Sequence, residues 1–249
     1  MGSWLVGVVI TVKNLMTSAV PQLSTVYIVQ TIKMVKLYLF KARDTPIVLI
    51  VRQARVNSYK VWELIRWDLE TDTFQTGQWL KCAHIIRPKY FSISPDGNHL
   101  AYCYTNFKTN EHFGIVSHMI ISKVPYFTAT MYTKGHGVCG HGTYIGFNTH
   151  GQPMCRAHIN ALEIRHPTTL KQAKWESNVP TGYIESGTFT DSKGRVITLD
   201  KGRIMADGVV LYDTTDHVFQ NIAYTVEDFP STPHSHPYFT RSKAVHATK

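Results

Sequence analysis

The sequence predicts an all-β fold, a β-propeller-like stack of antiparallel sheets with about four or five blades, or an incomplete set of them. Three observations predict it. The stretch from Arg66 to Lys81 reads as a strand ending in Trp67-Asp68, a polar turn over Glu70-Thr71-Asp72-Thr73, and a strand returning through Phe74 and Trp79. Shortly after, Ser94-Pro95-Asp96-Gly97 forces a reversal between apolar Phe91 and Ile93 on one side and Leu100, Tyr102 and Tyr104 on the other. The same grammar returns late in the chain. Phe189 to Ile197 echoes the Pro-Asp-Gly turn, and Val209 to Phe219 echoes the Trp-Asp hairpin. Gly97 and Gly194 stand 97 residues apart, about two periods of the roughly 40–50 residues that blades repeat at. A further repeat is therefore expected between them.

Each element has its own reason. Residues 1–33 hold no acidic residue and only Lys13 and Lys33 as bases. They read as an N-terminal extension, an extra strand or a loose segment, with Met34 as an alternative start. A secretory signal over residues 1–19 is the other reading, with Thr17 and Ala19 as small residues near a cleavage point. The β-propeller-like domain is expected over residues 34–227. It opens with Val35 to Phe40 and then Ile47-Val48-Leu49-Ile50-Val51, a continuous apolar run that suits a strand covered on both faces. Further strands are expected around Ile115 to Ile121 and from Tyr126 to Tyr132, parted by Lys123-Val124-Pro125. Lys134 to Gly142, with four glycines in nine residues, reads as a loop. Residues 228–249, rich in Pro and His, read as a flexible C-terminal tail.

The chain of 249 residues, 43% hydrophobic and 17% charged, is long enough to bury a real core and too apolar for disorder. No run of eighteen apolar residues is present, so no ordinary transmembrane helix is expected. The net charge of +9 is spread over the first two-thirds without a basic cluster, which reads as solubility charge. Folding onto one face would be needed for Arg52, Arg55, Lys60, Arg66, Arg87 and Lys89 to make a nucleic-acid surface. Four cysteines, Cys82, Cys103, Cys139 and Cys155, are too few for a disulfide-built scaffold. Cys103, between Tyr102 and Tyr104 in a predicted strand, reads as a buried free thiol in a reducing compartment.

No cofactor and no metal centre are expected. The alternative is zinc held by some of His136, Cys139, His141, Cys155 and His158, which bring both ligand types together as His-x-x-Cys and Cys-x-x-His. No Gly-x-Ser-x-Gly elbow exists, and Cys139 beside His136 or His141 is the one candidate thiolate pair. Asp68 with Asp72, and Asp213 with Asp216, fall at predicted turns and read as caps on backbone amides. Trp62, Trp67 and Trp79 read as core residues, with base or sugar stacking as the alternative.

The Thr-Asp-x-Phe run with Gly77-Gln78-Trp79-x-Lys81, the Ser94 to Gly97 turn, Pro125-Tyr126-x-Thr128-Ala129 and the glycine-spaced run from Lys134 to Gly142 together resemble an uncharacterised bacterial protein family. Its features are those of WD40-like and TolB-like β-propellers. The likeness covers about Arg43 to Phe147, and departs where Gly135 to Cys139 stands in place of an acidic and a tryptophan residue. It implies architecture and no catalytic residue. The function expected from architecture alone is a non-catalytic, cytoplasmic, β-propeller-like scaffold for protein partners. The alternatives are a hydrolase-like enzyme with its site at residues 134–142, a nucleic-acid-binding β protein, and a secreted protein if residues 1–19 are a signal.

Overall fold

A computed structural model describes residues 4–11, 25–56, 59–81, 85–110, 114–136, 145–155, 163–164, 174–175, 183–184 and 187–218. Among these residues every regular element except one short 3-10 turn at Pro88–Tyr90 is a strand. The first sheet is an antiparallel meander of β1 (Trp4–Thr11), β2 (Thr25–Lys41), β3 (Ile47–Val56), β4 (Tyr59–Asp68) and β5 (Thr73–Lys81). The second is built from β6 (Ile85–Ile86), β7 (Ser92–Ile93), β8 (His99–Asn110), β9 (Gly114–Lys123) and β10 (Ala129–His136). The third pairs β11 (Ile145–Phe147) with β12 (Pro153–Cys155). Three two-residue strands follow, each on a sheet already formed: β13 (Glu163–Ile164) on β10, β14 (Lys174–Trp175) on β12, and β15 (Tyr183–Ile184) on β2. The fourth sheet is the meander β16 (Phe189–Thr190), β17 (Val196–Asp200), β18 (Arg203–Ala206) and β19 (Val209–Asp213).

Successive side chains on a strand point to opposite faces, and this alternation decides how the sheets stack. Phe40, Leu49, Val51, Trp62 and Leu64 form one face of the first sheet and meet Phe91, Leu100, Tyr102, Ile120 and Tyr132 of the second. The other face of the first sheet, with Leu39, Val48, Ile50, Ile65 and Trp67, packs on Ile197 and Ile204 of the fourth. On the far side of the second sheet, Ala101, Cys103, Met119, Ile121 and Met131 pack on Ile145 and Phe147 of the third. The spatial order is therefore fourth, first, second, third. The Ile47 to Val51 run is buried on both faces, as its unbroken apolar character requires.

A third turn of the Gly97 and Gly194 kind lies at Asn148-Thr149-His150-Gly151. Its glycine sits 54 residues after Gly97 and 43 before Gly194, and the three share one construction. Gly97, Gly151 and Gly194 have φ of 76°, 72° and 77°, and each donates its amide to the carbonyl of the residue three before it, Ser94, Asn148 or Asp191. A side-chain oxygen of that leading residue also accepts a backbone amide further round the turn: Ser94 Oγ from His99, Asn148 Oδ1 from Gln152, Asp191 Oδ1 from Arg195. Glycine is needed because φ near +75° is strained for any side chain.

Some expectations are corrected. Lys134, Gly135 and His136 are not loop: they extend β10, opposite His118, Ser117 and Val116. The strand expected from Tyr126 starts at Ala129 instead, after a turn through Pro125. At the N-terminus β2 runs across the expected boundary at Met34, where a register shift and a φ of 51° mark a bulge. Residues 12–24 and the tail at 228–249 lie outside the described residues.

Candidate functional site

The polar centre of the described structure lies between the first and fourth sheets and none of it was singled out by a motif. Arg52 on β3 and Glu63 on β4 are direct cross-strand partners. Each stands two residues from Ile50 or Ile65 on its strand and so shares that residue's face, and both side chains point toward the fourth sheet and are buried, at 0% and 1% exposed. Two charges there need partners, since an isolated buried charge costs several kcal/mol. Arg52 Nη1 donates to Glu63 Oε2 at 3.3 Å, and the guanidinium lies over the Trp79 ring with 5.3 Å to the centroid. Arg52 Nε has no partner among the described residues.

The third member comes from the chain just after β19. Thr214 donates its amide and its hydroxyl to the Gly202 carbonyl, and the Asp213 carboxylate accepts from the Thr215 amide and hydroxyl. These bonds fix a turn that turns His217 inward. Its Nδ1 lies 2.9 and 3.1 Å from the two Glu63 oxygens, and its carbonyl accepts from Arg52 Nη2 at 3.3 Å. Since a carboxylate can only accept, Nδ1 carries the proton, and in the neutral ring the lone pair then sits on Nε2. Tyr212 meets His217 edge-on at 5.5 Å and stacks on Phe74 at 4.0 Å, which stacks on Trp67. Burial, reinforced by the Glu63 charge, pushes the Tyr212 hydroxyl up to about 12. Burial lowers the Arg52 pKa, with Glu63 opposing. The arrangement thus holds a buried charged pair and an oriented imidazole.

A second polar feature gathers at the turn end of the sheets. Asp44 donates its amide to the Pro95 carbonyl, Leu69 to that of Pro46, and Arg43 Nη2 reaches the Thr149 carbonyl at 2.7 Å. Asp72, at the β4 to β5 turn, accepts from Arg195 at 2.8 and 2.9 Å and from Lys193 at 2.6 Å. The Arg195 bond is the chief reason its carboxyl is held down to about 2.

The expected site residues are placed only in part. His136 ends β10, opposite Val116, and Cys155 ends β12, opposite Ile145, in a different sheet. Cys139, His141 and His158 lie outside the described residues, as does the rest of the 134–142 run after His136. Among the described residues no group of three His, Cys, Asp or Glu gathers as metal ligands do. Trp62, Trp67 and Trp79 are core residues, 3%, 0% and 9% exposed. Asp68 caps the Glu70 and Thr71 amides as expected, whereas Asp72 serves the fourth sheet. The imagined basic face loses Arg52, which is buried on the side of the first sheet away from Arg55 and Lys60. Cys103 is not a free thiol but one half of a disulfide, which removes the ground for reading a reducing compartment.

What would have revealed Arg52 and Glu63 is their position, charged residues set inside two otherwise apolar strands. His217 carries no such signal, because a histidine after a turn reads as solvated. No helix among the described residues is long and apolar enough to cross a membrane. No protein-family model, no curated protein and no solved structure matches this chain.

Proposed function

We propose that the protein is a non-catalytic, β-propeller-like scaffold that presents its turn end to a protein partner. One observation carries the reading: the fourth sheet, the last among the described residues, packs face to face on the first, as closing a ring requires. Two others support it. Turns of the first, second and third sheets meet around Arg43, although the first and third are not neighbours in the stack. Three of the sheets also open with the same glycine turn at a spacing of 54 and 43 residues, close to a blade period. In such a ring the Arg52, Glu63 and His217 cluster is a clasp between the first and last blades, and the exposed residues of the turns form the docking surface.

The test uses a photo-crosslinking residue placed in cells at exposed His150, on the turn end, or at exposed Lys60, at the opposite end of β4. The scaffold reading expects one discrete crosslinked protein from position 150 and none from position 60. Equal, diffuse labelling from both positions would contradict it. The Glu63 to His217 hydrogen bond favours hydrolytic chemistry as a second reading, with His217 as general base. That reading expects an ester, peptide or phosphate hydrolysis rate that His217→Gln lowers at least about 100-fold; turnover equal in both proteins would remove it.

A further inference from the structure

We infer that the disulfide partner of Cys103 is Cys155, so that a covalent bond joins the second sheet to the third. Cys103 is disulfide-bonded and 2% exposed. The remaining cysteines are Cys82, Cys139 and Cys155. Along β8, Leu100 and Tyr102 face the first sheet, while Ala101 and Cys103 face the third and pack with Ile145 and Phe147. A partner must stand on that side with its Cα within about 7 Å.

Register selects among the three. Cys155 is the direct ladder partner of Ile145, and Ile145 belongs to the cluster that holds Cys103. Cys82 precedes Ile85, whose partner on β8 is Thr105, and the β6 to β8 pairing approaches Cys103 only as β6 runs forward to Ile86 and Tyr104. Cys139 follows His136 at the end of β10, and β10 is separated from β8 by the whole of β9. That is about 10 Å between the backbones of β8 and β10.

Bond formation takes two protons and two electrons from the thiols, and a small-molecule or protein disulfide accepts them and is reduced to two thiols. Such a bond lasts where thiols are kept oxidised. The inference therefore places the folded chain in an oxidising compartment, against the cytoplasmic expectation.

The experiment is peptide mapping by mass spectrometry of the full chain, made in an oxidising compartment, alkylated and digested without reductant. A Cys103 to Cys155 linked peptide is expected, kept in the Cys82→Ser, Cys139→Ser double variant. In Cys155→Ser, Cys103 should be alkylated. A dithiol reductant should lower the wild-type melting temperature by roughly 5–10 °C, as opening a long closed loop does. Alkylated Cys103 in the wild type, or a link to Cys82 or Cys139, overturns the inference. Wild-type mapping decides the matter even if the Cys155→Ser chain fails to fold.

Discussion

Arg43, on the first sheet, donates a hydrogen bond to the carbonyl oxygen of Thr149, on the third, across 106 residues of sequence. The second sheet lies between them, yet its Pro95 accepts from Asp44 next door. Three turns therefore converge at one end of the stack. A flat pile of sheets would keep the first and third apart by two sheet spacings, about 20 Å. The first and third sheets thus approach each other at this end of the stack, and single substitutions expose how closely the sheets pack.

Gly77 on β5 sits where a Cβ would lie 2.1 Å from the Pro125 carbonyl oxygen. That neighbour is backbone, so the first and second sheets must separate to admit a methyl group. Gly194 has nothing within 4 Å and pays only for its positive φ. Gly77→Ala should cost about 3 kcal/mol or more and Gly194→Ala about 1 kcal/mol. Urea unfolding of the two variants measures the difference, and equal losses would mean that the close approach of the sheets at Pro125 is wrong.

The buried charges make an asymmetric prediction. Glu63→Gln leaves the Arg52 guanidinium buried without its counter-charge and should cost about 3–5 kcal/mol. Replacing both, as Arg52→Met with Glu63→Leu, should restore most of that loss, because two well-packed apolar side chains need no partner. His217→Ala removes one hydrogen bond to a charged acceptor and should cost about 1.5–3 kcal/mol. Chemical denaturation of the four proteins checks the order, and a double variant worse than Glu63→Gln would contradict it.

Asp72 ties acid stability to the contact between first and fourth sheets. Its folded pKa, about 2, lies below the unfolded value of 3.8. Its contribution is therefore complete above about pH 4 and is lost as pH falls toward 2. Asp72→Asn should flatten the fall in melting temperature over that interval, and Arg195→Gln should flatten it similarly by removing the main partner. An unchanged acid limb in both variants would show that the pair does not hold in solution.

Turn chemistry made much of this fold readable. Ser94-Pro95-Asp96-Gly97 and Asp191-Ser192-Lys193-Gly194 announce themselves through residues that set φ directly. Asn148-Thr149-His150-Gly151 forms the same turn without the proline or the aspartate, since asparagine caps amides equally well, and so it escapes a reading based on residue identity. The strand limits were less legible. Lys134-Gly135-His136 looks like a loop by composition, but the ladder to β9 supplies hydrogen bonds that outweigh glycine's weak strand preference. The clasp was invisible for another reason. Arg52, Glu63 and His217 meet only because the fourth sheet returns to the first, a contact spanning 154 residues between Glu63 and His217, and no local pattern encodes it. The disulfide at Cys103 was hidden as well, because a cysteine between two tyrosines in a strand reads as a small buried apolar side chain.

The fourth sheet packs on the first through aromatic rings. The rings of Phe74 on β5 and Tyr212 on β19 are stacked with centroids 4.0 Å apart and planes 2° from parallel, and Phe189 lies 6.3 Å from Trp67. Nuclear Overhauser spectra of protein selectively labelled at Phe, Tyr and Trp measure this contact directly. Strong cross-peaks between the Phe74 and Tyr212 rings, lost in Tyr212→Leu, are the result predicted. Their absence in a folded wild-type sample would contradict the packing of the fourth sheet on the first.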